Sequence, residues 1–261
     1  MRCKICGGEL GIFDTAKIIG KYDIKYYECL ECGFIQTEEP YWLSESYGSA
    51  ITNSDIGLIG RNIDIARKLD ILFQQTSGIC PVMGGHFLDY GGGYGMLVRM
   101  MRDRGYDFEW YDEYCENLFA QTHEKSINHY DVVTSVEMLE HLPNPMETLK
   151  IIFELGDTII FTTSLIPSNR PKIDEWWYYA TDHGQHVAFY TKQSMEYIAR
   201  HFERKYFNGA GFHIFSNRIK SVSTLKMRIR SLPIYIDRYL GNHRHSLLKT
   251  DFELLTGKKL G

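Results

Sequence analysis

The sequence predicts an α/β fold built on a doubly wound, mainly parallel sheet, with a small metal-stapled ribbon at its N-terminus. Three observations predict it. Residues 86–101 read HFLDYGGGYGMLVRMM, a short apolar run that ends in Asp89, glycines at 91, 93 and 95 with another at 92, and then a helix-like run. A second strand-like run, 108–111, ends in Asp112, 23 positions after Asp89. Four cysteines fall in two matched knuckles, Cys3-Lys4-Ile5-Cys6-Gly7 and Cys29-Leu30-Glu31-Cys32-Gly33, with 22 residues between Cys6 and Cys29.

The glycine-rich stretch is an expected strand–turn–helix unit. Glycine lacks a Cβ, so it takes positive φ and lets a ligand lie against bare main chain. Such a turn can hold a dinucleotide, a phosphate or a nucleoside, or it can be a sharp turn with no ligand. No Gly-Lys-Ser/Thr follows, which excludes a Walker phosphate loop. The helix over 96–104 should stop at Gly105. An acid closing the second strand can accept hydrogen bonds from ribose hydroxyls, which makes Asp112 a ligand candidate, with Glu113 and Tyr114 beside it.

In each knuckle the two-residue spacer turns both sulfurs toward one ion, and the following glycine permits the tight turn. Two knuckles supply the tetrahedral S4 set of structural zinc, so Cys3, Cys6, Cys29 and Cys32 are the expected metal ligands. Residues 17–19 and 24–28 alternate like the strands of a small hairpin. A ribbon over 1–38 has too few residues to bury an adequate core, which is the reason for a metal.

The 261 residues fit one main domain with a small appendage, and 44% hydrophobic with 24% charged residues is the balance of a soluble globular protein. A net charge of −4 gives no electrostatic case for a nucleic-acid partner. No apolar run has the length of a membrane span, and the first residues carry no apolar signal segment. The expectation is a cytoplasmic protein. Aromatic residues make up 14% of the chain, which suits either a site for flat ligands or an aromatic core.

Residues 130–145 read YDVVTSVEMLEHLPNP, a near-continuous apolar strand followed by Glu140-His141-Leu142-Pro143 and a helix over 145–155. The D-x-G-x-G-x-G turn, the acid at 112 and this E-H-L-P string together resemble the class I S-adenosylmethionine (SAM) methyltransferases; nicotinamide dehydrogenases lack the last string. The resemblance spans residues 45–216 and implies a Rossmann-like, seven-stranded class I methyltransferase sheet in a domain over 39–218. It implies SAM as cofactor, with Gly91, Gly93 and Gly95 under its methionine half, Asp89 orienting the site, Asp112 and Glu113 at the ribose, and Glu137 shaping the loop beneath. Methyltransferases of this class carry a covering helix where this chain has its helix-like run over 62–75. Arg61, just before it, matches a carboxylate in forked geometry and is the candidate for the methionine carboxylate; a solvated helix-face arginine is the alternative. Tyr47 is a second candidate for the pocket wall.

A fifth strand over 157–163 should point its C-terminal end at the acceptor. Beyond it, residues 175–179 (EWWYY) and 182–191 (DHGQHVAFYT) gather aromatics around two histidines. Aromatic faces suit a sugar's C–H face or a flat ring. Imidazole titrates near neutrality, so His186, and after it His183, are candidates for the base that takes an acceptor proton; a core histidine bonded to backbone is the alternative. The segment resembles the W-x-Y…G-Q-H-x-x-F-Y-T pattern of bacterial surface-polysaccharide and sugar methyltransferases. Zinc-containing sugar C-methyltransferases carry H-E-H here; Gly184 and Gln185 stand where its first two residues would be, which turns the expectation to O-methylation. The expected acceptor is a sugar or nucleotide-linked sugar. The alternatives are sugar C-methylation, a lipid- or quinone-like acceptor, and a non-catalytic SAM- and zinc-binding module. A helix capped by Thr191, a closing strand hairpin over 204–215 and a basic helical extension over 219–261 complete the reading.

Overall fold

The structure, a computed structural model, describes residues 1–47, 56–76 and 85–222, together with 253 and 257. Its centre is a six-stranded sheet. Four strands, β4 (His86–Tyr90), β5 (Asp107–Tyr111), β6 (Tyr130–Val136) and β7 (Gly156–Thr162), run parallel. Two more, β9 (Tyr206–Gly209) and β10 (Phe212–Ser216), form an antiparallel hairpin whose β10 pairs with β7. The spatial order is β5-β4-β6-β7-β10-β9, so the winding reverses between β4 and β6.

The central strands read as apolar runs because both faces are covered. Phe87, Val132, Ile160 and Ile214 point to one layer, where they meet α2 (Leu58–Gln75) and α3 (Met96–Arg102) through Leu69, Leu72, Phe73, Val98 and Met101. Their neighbours Leu88, Val133, Ile159, Phe161 and Phe215 point to the other layer and meet α4 (Pro145–Leu155) and α5 (Lys192–His201). Helix starts follow local chemistry. Pro145 occupies the first turn of α4, where its missing N–H costs nothing. The Thr191 hydroxyl accepts from Ser194 N–H while Ser194 Oγ accepts from Thr191 N–H, a reciprocal cap for α5.

Among the described residues this sheet has six strands, where the resemblance implied seven. Between β5 and β6 the chain makes one parallel bridge, Trp110 to Glu124, closed by Trp110 N–H to His123 O at 2.7 Å and Lys125 N–H to Trp110 O at 2.8 Å. The intervening residues, DEYCENLFAQTHEKSINH, are polar, and Leu118 and Phe119 are exposed, so no alternating run exists to extend the bridge. The helix expected from residue 62 begins at Leu58. The expected extension over 219–261 lies almost wholly outside the described residues.

The ribbon forms a second sheet with the order β1 (Leu10–Ile18), β2 (Tyr22–Cys29), β3 (Ile35–Thr37) and β8 (Ala188–Phe189). Its last strand comes from the far side of the chain, in register Ile35 to Phe189 and Gln36 to Ala188. Ile18, Ile24, Tyr26 and Ile35 of the ribbon share one core with Trp42, Tyr178, Tyr179, Val187 and Phe189. Thr191 also joins the two parts, since its hydroxyl donates to the Cys32 carbonyl at 2.6 Å.

Candidate functional site

The reversal between β4 and β6 opens a crevice at the carboxyl ends of the parallel strands, the place where doubly wound sheets receive ligands. The glycine turn leaves β4 there. Gly91, Gly93 and Gly95 take φ of +75°, +54° and +84°, the left-handed region. A Cβ on Gly95 would stand 3.1 Å from the backbone nitrogen of Ala120, whereas one on Gly93 would meet nothing within 4 Å. The main chain at Gly93 therefore faces open space, as a ligand resting on bare backbone requires.

Asp112 follows β5 and reaches back to this turn: its Oδ2 accepts from Gly93 N–H at 2.9 Å. Its Oδ1 accepts from Tyr114 N–H at 2.8 Å and Cys115 N–H at 2.9 Å. Trp110 Nε1–H donates to Gly93 O at 2.8 Å, so the turn is pinned from both sides. Asp89 is buried beneath the turn and accepts from Thr134 Oγ1 at 2.7 Å. Burial pushes its carboxyl up to about 7; the Thr134 hydrogen bond acts the other way, and the Asp112 charge adds to the rise. Glu113 is exposed on the same rim.

Glu137 closes β6 in the left-handed region, φ +49°, uncommon for a non-glycine residue. Thr162 at the end of β7 holds it twice, accepting from Glu137 N–H at 3.0 Å and donating to its Oε1 at 2.7 Å. Such strain persists where neighbours over-determine it, and these clusters mark functional edges.

A second group sits next to this edge. Tyr47 stacks on Tyr114, with ring centroids 6.2 Å apart and planes 18° apart, and its hydroxyl is 3.1 Å from His141 Nδ1. The His141 and His186 rings meet edge-on at 4.8 Å, and His183 lies 5.3 Å from His186. His186 Nδ1–H donates to the Tyr178 carbonyl at 2.7 Å; His183 Nδ1 accepts from Gln185 N–H at 3.3 Å. Burial, then the nearby imidazoles of His186 and His183, hold His141 well below the usual imidazole range. Glu140 beside it is fully buried, and its carboxyl is pushed up by that burial, with the Arg61 charge opposing. Arg61, in the first turn of α2, thus acts electrostatically on Glu140.

The structure brings Asp89, the three glycines, Asp112, Glu137, Tyr47, His186 and His183 to one edge. It spends the expected aromatic wall differently: Tyr178 and Tyr179 are core residues, Trp177 is exposed, and Glu175 accepts from Lys172 N–H. The sequence reading held Glu140 and His141 only as part of the E-H-L-P string and Tyr178 only as part of the aromatic wall; the adjacent Glu-His pair was the available signal.

The segment that carries His186 is clamped by the N-terminal module. Trp42 Nε1–H donates to Gly184 O at 2.8 Å, Gln185 Nε2–H to Ser46 O at 2.8 Å, and Ile19 N–H to Thr181 O at 2.8 Å. In that module the four cysteine sulfurs lie within 4.8 Å of one another, with Cys3 to Cys32 at 3.6 Å and Cys6 to Cys29 at 3.4 Å. A disulfide is about 2.05 Å long, whereas the edge of an S4 tetrahedron with 2.3 Å metal–sulfur bonds is about 3.8 Å. Backbone N–H groups of Ile5 and Cys32 point at Cys3 and Cys29 sulfurs, each at 3.4 Å, and Gly7 and Gly33 take positive φ at the two turns. The donor set and its spacing fit a tetrahedral thiolate centre.

Among the described residues no helix is long and apolar enough to cross a membrane. Two curated relatives are ubiquinone biosynthesis O-methyltransferases. That of Aliivibrio fischeri (strain MJ11) is 27% identical over 119 residues, covering 37% of this chain and 50% of the relative. That of Yersinia pestis (strain Pestoides F) is 31% identical over 123 residues, covering 37% and 48%. The chain thus spans about half the length of these relatives. Among solved structures, the plantazolicin methyltransferase BpumL, determined with a monoazolic desmethylPZN analog and SAH, aligns with TM-score 0.51 at 14% identity, covering 76% of this chain and 87% of that one; this likeness bears on the fold alone. Residues 63–218, more than half of the chain, match the profile of the Methyltransferase domain family, and the chain belongs to that family.

Proposed function

We propose that the protein transfers the methyl group of SAM to an oxygen of a small acceptor. The observation that carries this reading is the bridge made by Tyr47: its ring stacks beside the Asp112 rim and its hydroxyl hydrogen-bonds His141, whose ring meets that of His186, so donor and acceptor groups share one sheet edge. SAM, when bound, supplies an electrophilic methyl carbon on a sulfonium. The chain's own residues hold, align and deprotonate. The main chain at Gly93 is the resting surface. Asp112 orients the donor: its Oδ1 is filled by two N–H bonds, while its Oδ2 accepts from Gly93 N–H only and keeps capacity for a hydroxyl donor. The forked guanidinium of Arg61 suits the donor's carboxylate. His186 gives its Nδ1–H to a carbonyl, which makes Nε2 the basic nitrogen and the one to receive the acceptor's proton.

The acceptor is a hydroxylated small molecule. A sugar or nucleotide-linked sugar is the reading that the G-Q-H-x-x-F-Y-T segment supports. A phenolic, quinone-like acceptor is favoured by the names of the curated relatives and by the smaller aromatic wall. Parallel assays with labelled SAM on nucleotide sugars and on hydroxylated quinone precursors decide between them. The four N-terminal cysteines hold a zinc ion whose role is folding, because a closed S4 set leaves no position for substrate.

Two substitutions test the site. Asp112→Ala should weaken SAM binding in calorimetry at least tenfold, about 1.4 kcal/mol; an unchanged affinity removes the ribose assignment. His186→Ala should lower turnover about a hundredfold and leave SAM affinity nearly intact, and full activity would exclude it from proton handling.

A further inference from the structure

We propose that Glu140, His141 and His186 form a second metal site, which binds a divalent transition-metal ion through one carboxylate and two imidazoles. A ligand atom of each lies within 4.8 Å of the other two. Zinc–ligand bonds of 2.0–2.1 Å set such atoms about 3.3 Å apart, a distance reached by small side-chain rotations.

Three features separate this trio from a chance cluster. First, Glu140 is 0% exposed and neither carboxylate oxygen meets the geometry of a hydrogen bond, although the Tyr178 and Thr163 hydroxyls lie near enough to hold its carboxyl down against burial. Its neighbours Tyr178 and Thr163 pair their hydroxyls with each other at 3.0 Å. A buried carboxylate in that condition calls for a cation; the Arg61 charge reaches it without supplying a hydrogen bond. Second, both imidazoles are held by Nδ1, His186 on the Tyr178 carbonyl and His141 on the Tyr47 hydroxyl. Histidine ligands are usually fixed this way, one ring nitrogen on an oxygen and the other on the metal; His141 also meets the Gln185 backbone, a contact the ion would take over. Third, the two supporting segments are tied together. Val187 N–H donates to Glu140 O at 2.8 Å, and the Tyr190 hydroxyl donates to Leu139 O at 3.0 Å. The trio is therefore preorganised despite the 45 residues between its ends.

Two nitrogens and one oxygen suit zinc, iron(II), manganese or cobalt rather than calcium or magnesium. Three protein ligands also leave positions open, the opposite of the cysteine centre. The role of the ion rests on the methyl-transfer reading, whereas the site does not. An acceptor hydroxyl on the ion releases its proton to water; its lone pair then forms the new O–CH3 bond as the S–CH3 bond breaks, and S-adenosylhomocysteine leaves uncharged. With the ion bound, His186 serves as its ligand and the ion takes over activation of the hydroxyl; the base role given to His186 above belongs to the metal-free site.

The test is the metal stoichiometry of the full-length chain titrated with Co2+, read by elemental analysis and visible absorption, with SAM binding measured on the same samples. His186→Ala and Glu140→Gln should each bind one ion fewer than the wild type and keep the thiolate-to-cobalt absorption of the cysteine centre. Equal stoichiometry in wild type and His186→Ala overturns the proposal. If Glu140→Gln does not fold, judged by circular dichroism, His186→Ala decides alone. A second ion without SAM binding sinks the methyl-transfer reading and spares the site; SAM binding without a second ion does the reverse.

Discussion

Removing the proposed zinc from the N-terminal knuckles, by a strong chelator or by Cys32→Ser, should melt the ribbon and loosen the histidine segment with it. The ribbon cannot stand on its own core, and a structural zinc centre contributes on the order of 10 kcal/mol of folding free energy. The damage should spread because β8 completes the ribbon's sheet and because Ile18, Ile24, Tyr26 and Ile35 share a core with Tyr178, Tyr179 and Val187. Hydrogen exchange measures this directly. Backbone amides of β1 to β3 and of residues 184–190 should lose protection together, while those of β4, β6 and β7 keep theirs. Protection that survives chelation, or that falls in the ribbon only, would contradict the coupling.

The second large effect concerns Asp89. Its folded-state pKa, about 7, lies above the ordinary aspartate value of 3.8. Between pH 4 and 7 the native state retains a proton that the unfolded chain gives up, so stability falls as pH rises across that window and levels off above it. Three pH units at 1.36 kcal/mol each put the total on the order of 4 kcal/mol, undiminished by solvent because the carboxyl is fully buried. Asp89→Asn keeps the shape and an acceptor for the Thr134 hydroxyl but has no proton to lose. Urea unfolding at a series of pH values should show wild type losing ground to Asp89→Asn from pH 4 to 7, with parallel curves above. A constant difference throughout would mean that Asp89 is ionised in the native protein at every pH tested.

The features readable in the sequence are those fixed by neighbours in the chain. The glycine turn, the strand ending at Asp112, Pro145 opening α4 and the Thr191 cap of α5 each depend on a few adjacent residues, and each appears where the pattern put it. The missed features depend on distance. The two-residue strand β8 pairs with β3 across about 150 positions and has no periodicity to announce it. The grouping of Glu140 and His141 with His186 arises from folding two segments onto each other. The aromatic wall failed for a related reason: composition cannot tell a tyrosine that lines a cleft from Tyr178 or Tyr179, whose rings are buried. The count of seven strands came from family likeness; six are seen among the described residues, and the polar stretch after β5 adds only a bridge.

The hydroxyl of Thr191 has two clients. It receives the first free N–H of α5 and gives its own proton to the carbonyl of Cys32. Serine would keep that chemistry and valine would keep the shape, but only a residue that does both lets knuckle and helix stay in step. Neither element is therefore at liberty to shift without dragging the other, so the second knuckle and α5 must drift, or hold still, as one.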